Sequence, residues 1–501
     1  MRNLKNLTMS RVLVTCIVLL LTILVSLCLV GCGQNNEPQG GGPPAPEGTG
    51  PRPGDATDIG TGDVIVTMPE YDREQFYGQT IKIFSLQGHQ HINSLIRMYM
   101  DENPDVMVMY SLFPSIAEGM WYTTTYLAAG TAPTIMYSQF IDYYNPNYAR
   151  YLADWFPVME ASPYFDEDSF FMNVFHGAAV NSRLYAFPLS FSYRMVTANS
   201  LIPGLIESLD WYKGRYGGVT IPQLMEMMHV RHIPGSDMYF ARYFDVSVGV
   251  WDYIHSFFDM DTRYVGFNSQ SFIDLISNMQ EITTSGRIFD WSRTSTHTAF
   301  AVDSVMSERY FFQFICHHIL QYFVDFGETA SGDAFMFTAP TPILNNQGEL
   351  NIDLINAYVL NAQATTVEQA IALDFMLFIR QFWIGTGIDF RNLQIPRMLP
   401  VDRDMHYGMV TSNINNTLFN EDGHWGRWVA ERGELSPEER EDIISQLVAI
   451  GGMPMTSTQV PHEIKDIIFY ELREFHNGFV SAEDVAHNLY SRITSELSRM
   501  E

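Results

Sequence analysis

The sequence predicts an α/β protein, and the order of its strand-like and helix-like segments is the first reason. Residues 80–86, 106–110 and 134–137 are short apolar runs rich in β-branched or long aliphatic side chains, which is typical of strands. Between them, residues 91–100 and 116–129 carry apolar side chains at helical spacing. Strands that alternate with helices at this spacing predict βαβ units and a parallel sheet.

Sequences that mark helix starts are the second reason. A Ser or Thr followed three residues later by Gln, Glu or Asp can form a capping box, which satisfies backbone N–H groups in the first turn. Asn268 is also predicted to cap a helix. The predicted boxes pair Thr220 with Gln223, Thr366 with Gln369, Ser436 with Glu439 and Ser481 with Asp484. Because each precedes an apolar stripe, we expect more helix than strand.

Composition narrows the class of protein. The 501 residues are 46% hydrophobic and 14% aromatic, so the chain as a whole is too apolar to be disordered, and it is long enough for two or more domains. It has 57 acidic residues against 29 Lys and Arg, a formal net charge of −28. Such an acidic surface repels phosphate backbones, so nucleic acid is not an expected partner.

The N-terminal segment has the pattern of an export signal. A basic start at Arg2, Lys5 and Arg11 precedes an apolar run over residues 12–30, which ends at Gly31 and Cys32. The sequence Leu-Val-Gly-Cys resembles the lipobox of bacterial lipoproteins, which implies cleavage after residue 31 and acylation of Cys32. The alternative is an uncleaved transmembrane anchor, because the run is nearly long enough to span a bilayer.

Cleavage would leave a more acidic chain on a flexible linker. Residues 1–31 contain three basic and no acidic residues, so their removal takes the net charge to −31. Residues 32–75 would then be the lipidated cysteine and a linker, since residues 33–62 are mostly Gly, Pro, Asn, Thr and acid without apolar periodicity. The folded part is therefore expected outside the cell, tethered to the membrane.

The sequence contains few signals for metal, disulfide or catalytic chemistry. Of its four cysteines only Cys316 lies beyond the signal and the acylation site, so no internal disulfide is expected. His317 and His318 are adjacent and would point about 100° apart on a helix, which disfavours joint chelation. No HExxH, GxSxG or phosphate-binding glycine loop occurs. We therefore predict no metal, no cofactor and no catalytic residues.

Several segments, taken in order, resemble the extracellular solute-binding proteins of bacterial ABC importers, family 1, a group that includes sugar binders. Thr134 stands where that family often has Asp, and residues 231–266 and 384–434 match nothing in its pattern. The segments that carry the resemblance are residues 102–106, 127–135, 181–188 with 197–199, 219–224, 360–363 with 366–380, and 480–485.

The resemblance implies the type II periplasmic-binding-protein-like fold, in which two α/β lobes are joined by crossover strands and close on a ligand. It implies a first lobe of residues 76–191 plus 336–398 and a second of residues 192–335 plus 399–501. The implied partner is an ABC transporter permease, and a monomer is expected.

Candidate ligand-binding residues follow predicted strands or lie in polar loops. Sugars need flat apolar faces and polar groups together, and Trp and Tyr supply both. A carbohydrate is the expected solute, and a neutral or cationic ligand suits the charge of the chain. The candidates are Gln87, His89, Gln90, Tyr137, Gln139, Tyr193, Arg194, Trp251, Asp252, Trp291 and Arg397. For Arg194 the alternative is an ion pair with a carboxylate of the protein itself.

Two other functions stay open on sequence alone. A secreted lipoprotein glycoside hydrolase or lyase could use two carboxylates in a cleft, and the many Asp and Glu residues would permit it. A binding protein could also report to a sensor instead of a permease.

Overall fold

The computed structural model describes residues 73–87, 92–231, 239–242, 246–260, 262–282, 310–316, 326–328, 334–385, 399–408, 441, 445 and 449–500. The predicted signal, the lipidation site Cys32 and most of the predicted linker lie outside these residues. At the linker's predicted end, Arg73–Phe76 form a short 3-10 helix, and Arg73 pairs with the buried carboxylate of Asp374 at 2.6 Å.

The fold is a mixed α/β arrangement. Its strands are β1 (Gln79–Leu86), β2 (Val106–Phe113), β3 (Ile135–Tyr137), β4 (Leu152–Ala153), β5 (Ala186–Asn199), β6 (Tyr239–Arg242), β7 (Phe258–Asp259), β8 (Tyr264–Val265), β9 (Tyr310–Cys316), β10 (Phe326–Glu328), β11 (Ala334–Pro342), β12 (Leu350–Asn361), β13 (Leu399–Pro400) and β14 (Met455–Ser457). Its helices are α1 (Ile92–Glu102), α2 (Ile116–Ala128), α3 (Pro146–Ala149), α4 (Trp155–Glu160), α5 (Met172–Gly177), α6 (Leu205–Tyr216), α7 (Ile221–Arg231), α8 (Val246–Asp252), α9 (Ile254–Phe257), α10 (Gln270–Ile282), α11 (Thr366–Gly385), α12 (His462–His476) and α13 (Ala482–Arg499).

One large sheet contains most of the strands, and its main order is β10-β11-β5-β12-β3-β1-β2. β1 runs parallel to both β2 and β3, with α1 and α2 as the connections, so the predicted βαβ units are confirmed. β5 and β12 pair antiparallel at the centre of this order. The smaller β7–β8 hairpin is separate from the large sheet.

Two hydrophobic clusters lie on either side of a switch within β5. The first is built mainly from residues 76–195 and 344–379, and the second mainly from residues 196–312 and 460–500. Met195 belongs to the first cluster, and its neighbour Val196 belongs to the second. A single strand therefore passes from one core directly into the other.

The predicted lobe boundaries stay a prediction. The two hydrophobic clusters divide the chain differently from these boundaries after residue 398. Leu399, Val401, Ile450 and Met455 pack in the first cluster, whereas the sequence analysis placed residues 399–501 in the second lobe. β13 explains this packing in part, because it pairs with β5 through Leu399 and Phe191.

Hydrogen bonds at the helix starts test the predicted caps. The Thr220–Gln223 and Ser481–Asp484 boxes are confirmed by reciprocal bonds between side chain and backbone. The box assigned to Thr366 is wrong by one residue: Thr365 and Glu368 form it, and Thr366 is the first helical residue.

Two further predicted caps have different outcomes. Asn268 is not the cap of α10, because Ser269 accepts the hydrogen bond from the N–H of Phe272. The box predicted at Ser436 lies outside the described residues.

Apolar stripes behave as predicted where the structure describes them. On α13, Val485, Leu489, Ile493 and Leu497 are buried in the second cluster. In the described part of the chain, no helix combines the length and apolarity that crossing a bilayer requires.

Candidate functional site

The site begins where β5 exchanges its neighbours. Ser192 is opposite Asp353 of β12, whereas Arg194, two residues later, is opposite Cys316 of β9. Tyr193 lies between them, buried and stacked on Phe191. The backbone therefore passes from one set of partner strands to another within three residues.

Polar side chains line the crossing strands although both strands are buried. Ser190 and Ser192 of β5 and Asn351 and Asn356 of β12 are all at most 5% exposed. Nδ2 of Asn356 donates to Oγ of Ser190 at 2.9 Å. Side chains two residues apart share one face of a strand, so Ser190 and Ser192 form a polar stripe next to Asp353.

An ion pair joins β5 to the end of α8. Nη1 of Arg194 donates to Oδ1 of Asp252 at 2.8 Å, and the Asp252 side chain is 1% exposed. Burial raises the pKa of Asp252, and the nearby Asp353 also raises it, while Arg194 opposes both by stabilising the carboxylate. The pairing alternative considered for Arg194 is thus what the structure contains.

Three buried polar atoms at this crossing have capacity for further hydrogen bonds. Nδ2 of Asn351 donates to the backbone carbonyl of Asp252 at 2.7 Å. Within the described part of the chain, Oγ of Ser192, Oδ2 of Asp252 and Oδ1 of Asn351 have no hydrogen-bond partner. Buried polar atoms are nearly always paired, so these atoms can receive hydrogen bonds from a polar group that enters the crossing.

The loop after β3 reaches the start of α12. Oδ2 of Asp142 accepts from the backbone N–H of His462 at 2.7 Å, which places a carboxylate at the positive end of that helix. Burial raises the pKa of Asp142 despite this bond. The hydroxyls of Tyr144 and Ser457 are 2.9 Å apart. The loop therefore connects the first cluster to the segment that leads into the second.

The segment after β14 also contacts the polar stripe. Oγ1 of Thr458 donates to Oδ1 of Asp353 at 2.8 Å, and the ring of His255 bonds the carbonyl of Ser457. Segments from β5, β12 and β14 therefore meet at one place, together with α8 and α9.

Aromatic side chains lie beside these polar groups. Trp251 stacks on Phe469 of α12 with ring centroids 5.4 Å apart, and Nζ of Lys465 lies 5.6 Å from the Trp251 ring centroid. Trp251 is buried, but Phe469 is 41% exposed. Phe469 therefore exposes part of an apolar ring beside Trp251, the residue that precedes Asp252.

A groove of about 340 Å³ opens between elements of the two clusters. One wall comes from the end of α2 and from α3, with the rings of Tyr148 and Tyr151. The other wall comes from α12 and α13, with the carboxylates of Glu463 and Glu496. Two residues of the groove are close in sequence to the Asp142–His462 contact: Asn145 follows Asp142 by three positions, and Glu463 follows His462 directly. The groove therefore combines aromatic and charged side chains.

Four of the predicted ligand residues lie together at the crossing: Tyr193, Arg194, Trp251 and Asp252. Tyr137 packs in the first core against Phe140, where burial raises its pKa to about 12.

Two more predicted residues have described positions, and four do not. Gln139 is half-buried after β3, and Gln87 is exposed after β1 with its N–H donating to the Phe113 carbonyl. The remaining predicted residues, His89, Gln90, Trp291 and Arg397, lie outside the described residues. Ligand contact by any of the eleven stays a prediction.

Sequence reasoning missed several polar residues of the site, namely Asp142, Ser192, Asn351, Asp353 and Thr458. A usable signal was present, because Ser, Asn and Asp interrupt strands that are otherwise apolar, at residues 186–199 and 350–361. Such interruptions are costly in a plain core strand, so they mark a buried polar contact or a site.

In the described residues, no group of three or more His, Cys, Asp or Glu side chains is placed to hold a metal ion.

Solved structures share this fold. The sugar-binding protein MalE from Xanthomonas citri is 14% identical, with a TM-score of 0.54 over 84% of this chain and 98% of that one. Family 1 extracellular solute-binding proteins from Alicyclobacillus acidocaldarius (13% identity, 83% and 98% coverage) and Bifidobacterium longum subsp. infantis (14%, 83% and 99%) both give a TM-score of 0.51.

This likeness shows the two-lobe periplasmic-binding fold, so the predicted fold class is confirmed. No protein-family model and no curated protein matches the sequence.

Proposed function

We propose that this chain is an extracellular solute-binding protein of an ABC importer that captures a carbohydrate between its two lobes. The observation that carries the proposal is the buried polar stripe at the crossing of β5 and β12, within a fold shared with a sugar-binding protein. Oγ of Ser192, Oδ2 of Asp252 and Oδ1 of Asn351 are hydrogen-bonding atoms of the kind that sugar hydroxyls satisfy.

Hinge closure at the crossing would bring the polar stripe and the aromatic faces onto one ligand. Opening rotates the lobes about the few residues that absorb the backbone change, here the stretch around Tyr193. A ligand that contacts both lobes binds the closed form better and shifts the population toward it. The closed form would then dock on the permease.

The charges at the crossing favour a neutral carbohydrate over an anion. Asp252 interacts with the nearby carboxylate of Asp353 as well as with the Arg194 guanidinium, so an anionic sugar that entered here would meet both carboxylates. Hydroxyl groups can donate to these carboxylates without adding charge.

The lipobox-like sequence supports a lipid anchor at Cys32 and a location on the outer face of the cytoplasmic membrane. The acidic chain would be repelled by anionic lipid, so acyl chains would have to hold it. The proposal treats the protein as a monomer without catalytic residues, cofactor or resident metal.

An oligosaccharide panel tests the function. We expect one neutral oligosaccharide to raise the Tm of the purified protein, since a ligand that binds only the native state at 100 times its Kd adds about 2.7 kcal/mol of stability. Chromatography of the same mixtures should show no product. Turnover would favour the hydrolase alternative, and no shift with any saccharide would reject carbohydrate as the solute.

Ser192→Ala is the matched site variant. Its hydroxyl has no partner in the described structure, so we expect the variant to fold normally and to bind the active oligosaccharide about tenfold more weakly, the cost of one lost hydrogen bond. Asn278→Ala, at an exposed position of α10, is the control and should bind like the wild type. Equal affinity of all three proteins would place the ligand elsewhere.

A further inference from the structure

We infer that a second saccharide site lies on one lobe alone, in a groove of about 570 Å³ between the β7–β8 hairpin and α13. Its rim carries Tyr264 and Tyr490, whose side chains are 49% and 37% exposed. The volume lies in the range of small-molecule sites, and two accessible tyrosine rings offer flat apolar faces with polar ends.

The Tyr264 ring is held in place by the local backbone. A Cβ atom built on Gly266 would overlap the Tyr264 ring and hydroxyl, so the ring lies directly over a glycine that leaves it room. The preceding residue, Arg263, has φ of 56°, a left-handed conformation that is unusual outside glycine. The hairpin therefore fixes the ring before any ligand arrives, which reduces the entropy lost on binding.

Hydroxyl groups line the groove beside the rings. Tyr490, Thr494 and Ser498 occupy one face of α13 at spacings of four residues, and Thr262 faces them from the hairpin. The Ser498 hydroxyl donates to the Thr494 carbonyl at 3.1 Å, which leaves its oxygen able to accept. Aromatic faces next to hydroxyl groups suit a sugar ring, which has C–H faces and a hydroxyl edge.

The described lining of the groove is mostly uncharged. No carboxylate is among the described residues that line the groove, although the chain has 57 acidic residues. Arg263 contributes the one charged side chain among those residues. The two tyrosine faces and the hydroxyl groups carry the recognition, so the inferred ligand is a neutral saccharide, either a free oligosaccharide or part of a longer polysaccharide.

The groove is independent of the crossing. Leu497 is buried in the second cluster and Val265 packs against it, so both walls move with one lobe. Binding here needs no hinge closure. The site could hold a chain near the protein in both its open and its closed form.

Affinity electrophoresis tests the second site directly. The whole chain would be run in native gels that contain a neutral glucan, mannan or xylan, with and without the matching tetrasaccharide as competitor. We expect at least one polysaccharide to retard the wild type. Tyr264→Ala and Tyr490→Ala should each raise the Kd about tenfold, because each removes one stacking face. Competition by the tetrasaccharide would indicate a free oligosaccharide, and its absence a polysaccharide chain.

Two further variants complete the test: Gly266→Ala changes the site, and Tyr216→Ala is the control. Gly266→Ala keeps both rings but displaces Tyr264, so it should weaken retardation as well. Tyr216→Ala, which removes a tyrosine that is 50% exposed on α6, should migrate like the wild type. Ser192→Ala should remain retarded even if the interlobe site fails, which separates the two proposals. Absence of retardation in every gel, or retardation of the Tyr264→Ala and Tyr490→Ala variants equal to that of the wild type, would overturn the inference.

Discussion

Single buried polar residues decide the chemistry of the crossing. Arg194 and Asp252 are far apart in sequence, yet their side chains meet at 2.8 Å with little exposure to solvent. Breaking such a pair from one side leaves an uncompensated buried charge, which costs far more than loss of a surface pair. The pair therefore positions α8 against β5 whether or not it contacts a ligand.

Arg194→Met should destabilise the protein by about 3 kcal/mol at pH 7. Burial already raises the pKa of Asp252 in the folded protein above its unfolded value of about 3.9. Removal of the guanidinium raises the pKa of Asp252 in the folded protein further above the unfolded value. The variant therefore loses more stability than the wild type as the pH rises from the unfolded pKa toward the folded one. The loss relative to wild type should therefore be small near pH 3.5 and grow toward pH 7, as measured by urea unfolding.

Arg499→Met is the control for this prediction. Its pair with Glu496 has a similar N–O distance of 2.7 Å, but Arg499 is 75% exposed. Exposed pairs contribute about 0–1 kcal/mol. Equal losses for the two variants, or a loss for Arg194→Met that does not change with pH, would contradict a buried charge pair.

At the scale of elements, the start of α11 shows how precisely a sequence pattern predicts the capping residue of a helix. Both Thr365 and Thr366 could cap α11, and pattern alone favoured Thr366 with Gln369. The structure instead pairs Thr365 with Glu368, whose carboxylate accepts from the Thr365 N–H at 2.7 Å. A charged acceptor makes the stronger bond, which explains why the helix starts at this register.

Thr365→Ala should lower the free energy of unfolding by about 1 kcal/mol, because the N–H of Glu368 loses its acceptor. Thr366→Ala is a close control, since it alters the adjacent exposed residue inside the first turn and should change stability by less than about 0.5 kcal/mol. Denaturant midpoints of the two variants decide the register. A larger loss of unfolding free energy for Thr366→Ala than for Thr365→Ala would instead support Thr366 as the cap, as the sequence predicts.

The strands show a different limit of sequence reasoning. β5 is predicted only as a crossover by resemblance, and nothing in its local pattern identifies Ser192 and Arg194 as the point where its partners change. Strand pairing is non-local, so it depends on residues more than 100 positions away.

At the scale of the whole molecule, charge and the export signal belong together. Removal of residues 1–31 would make the chain more acidic, so membrane association would depend on acyl chains at Cys32. The two interpretations of the N-terminus are a cleaved lipoprotein signal and an uncleaved transmembrane anchor. They differ in whether residues 1–31 remain on the mature protein.

Mass spectrometry of the N-terminal peptide from membrane-bound protein distinguishes them. We expect the mature chain to begin at Cys32 with the added mass of fatty acyl groups, and Cys32→Ser to carry no acyl mass. Cys316→Ser, the matched cysteine control, should be acylated like the wild type. An unmodified peptide that still includes residues 1–31 would support the transmembrane alternative.

The sequence by itself determined the local features: the βαβ start, the helix caps at Thr220 and Ser481, the apolar stripe of α13 and the fold class. These depend on side-chain periodicity and on contacts within a few residues, which a sequence states directly. Only the tertiary structure decided that Asn351 and Asp353 join Arg194 and Asp252 at one crossing. Bringing distant residues together depends on how strands pair and cores pack, and a polar interruption in an apolar strand cannot indicate its partner.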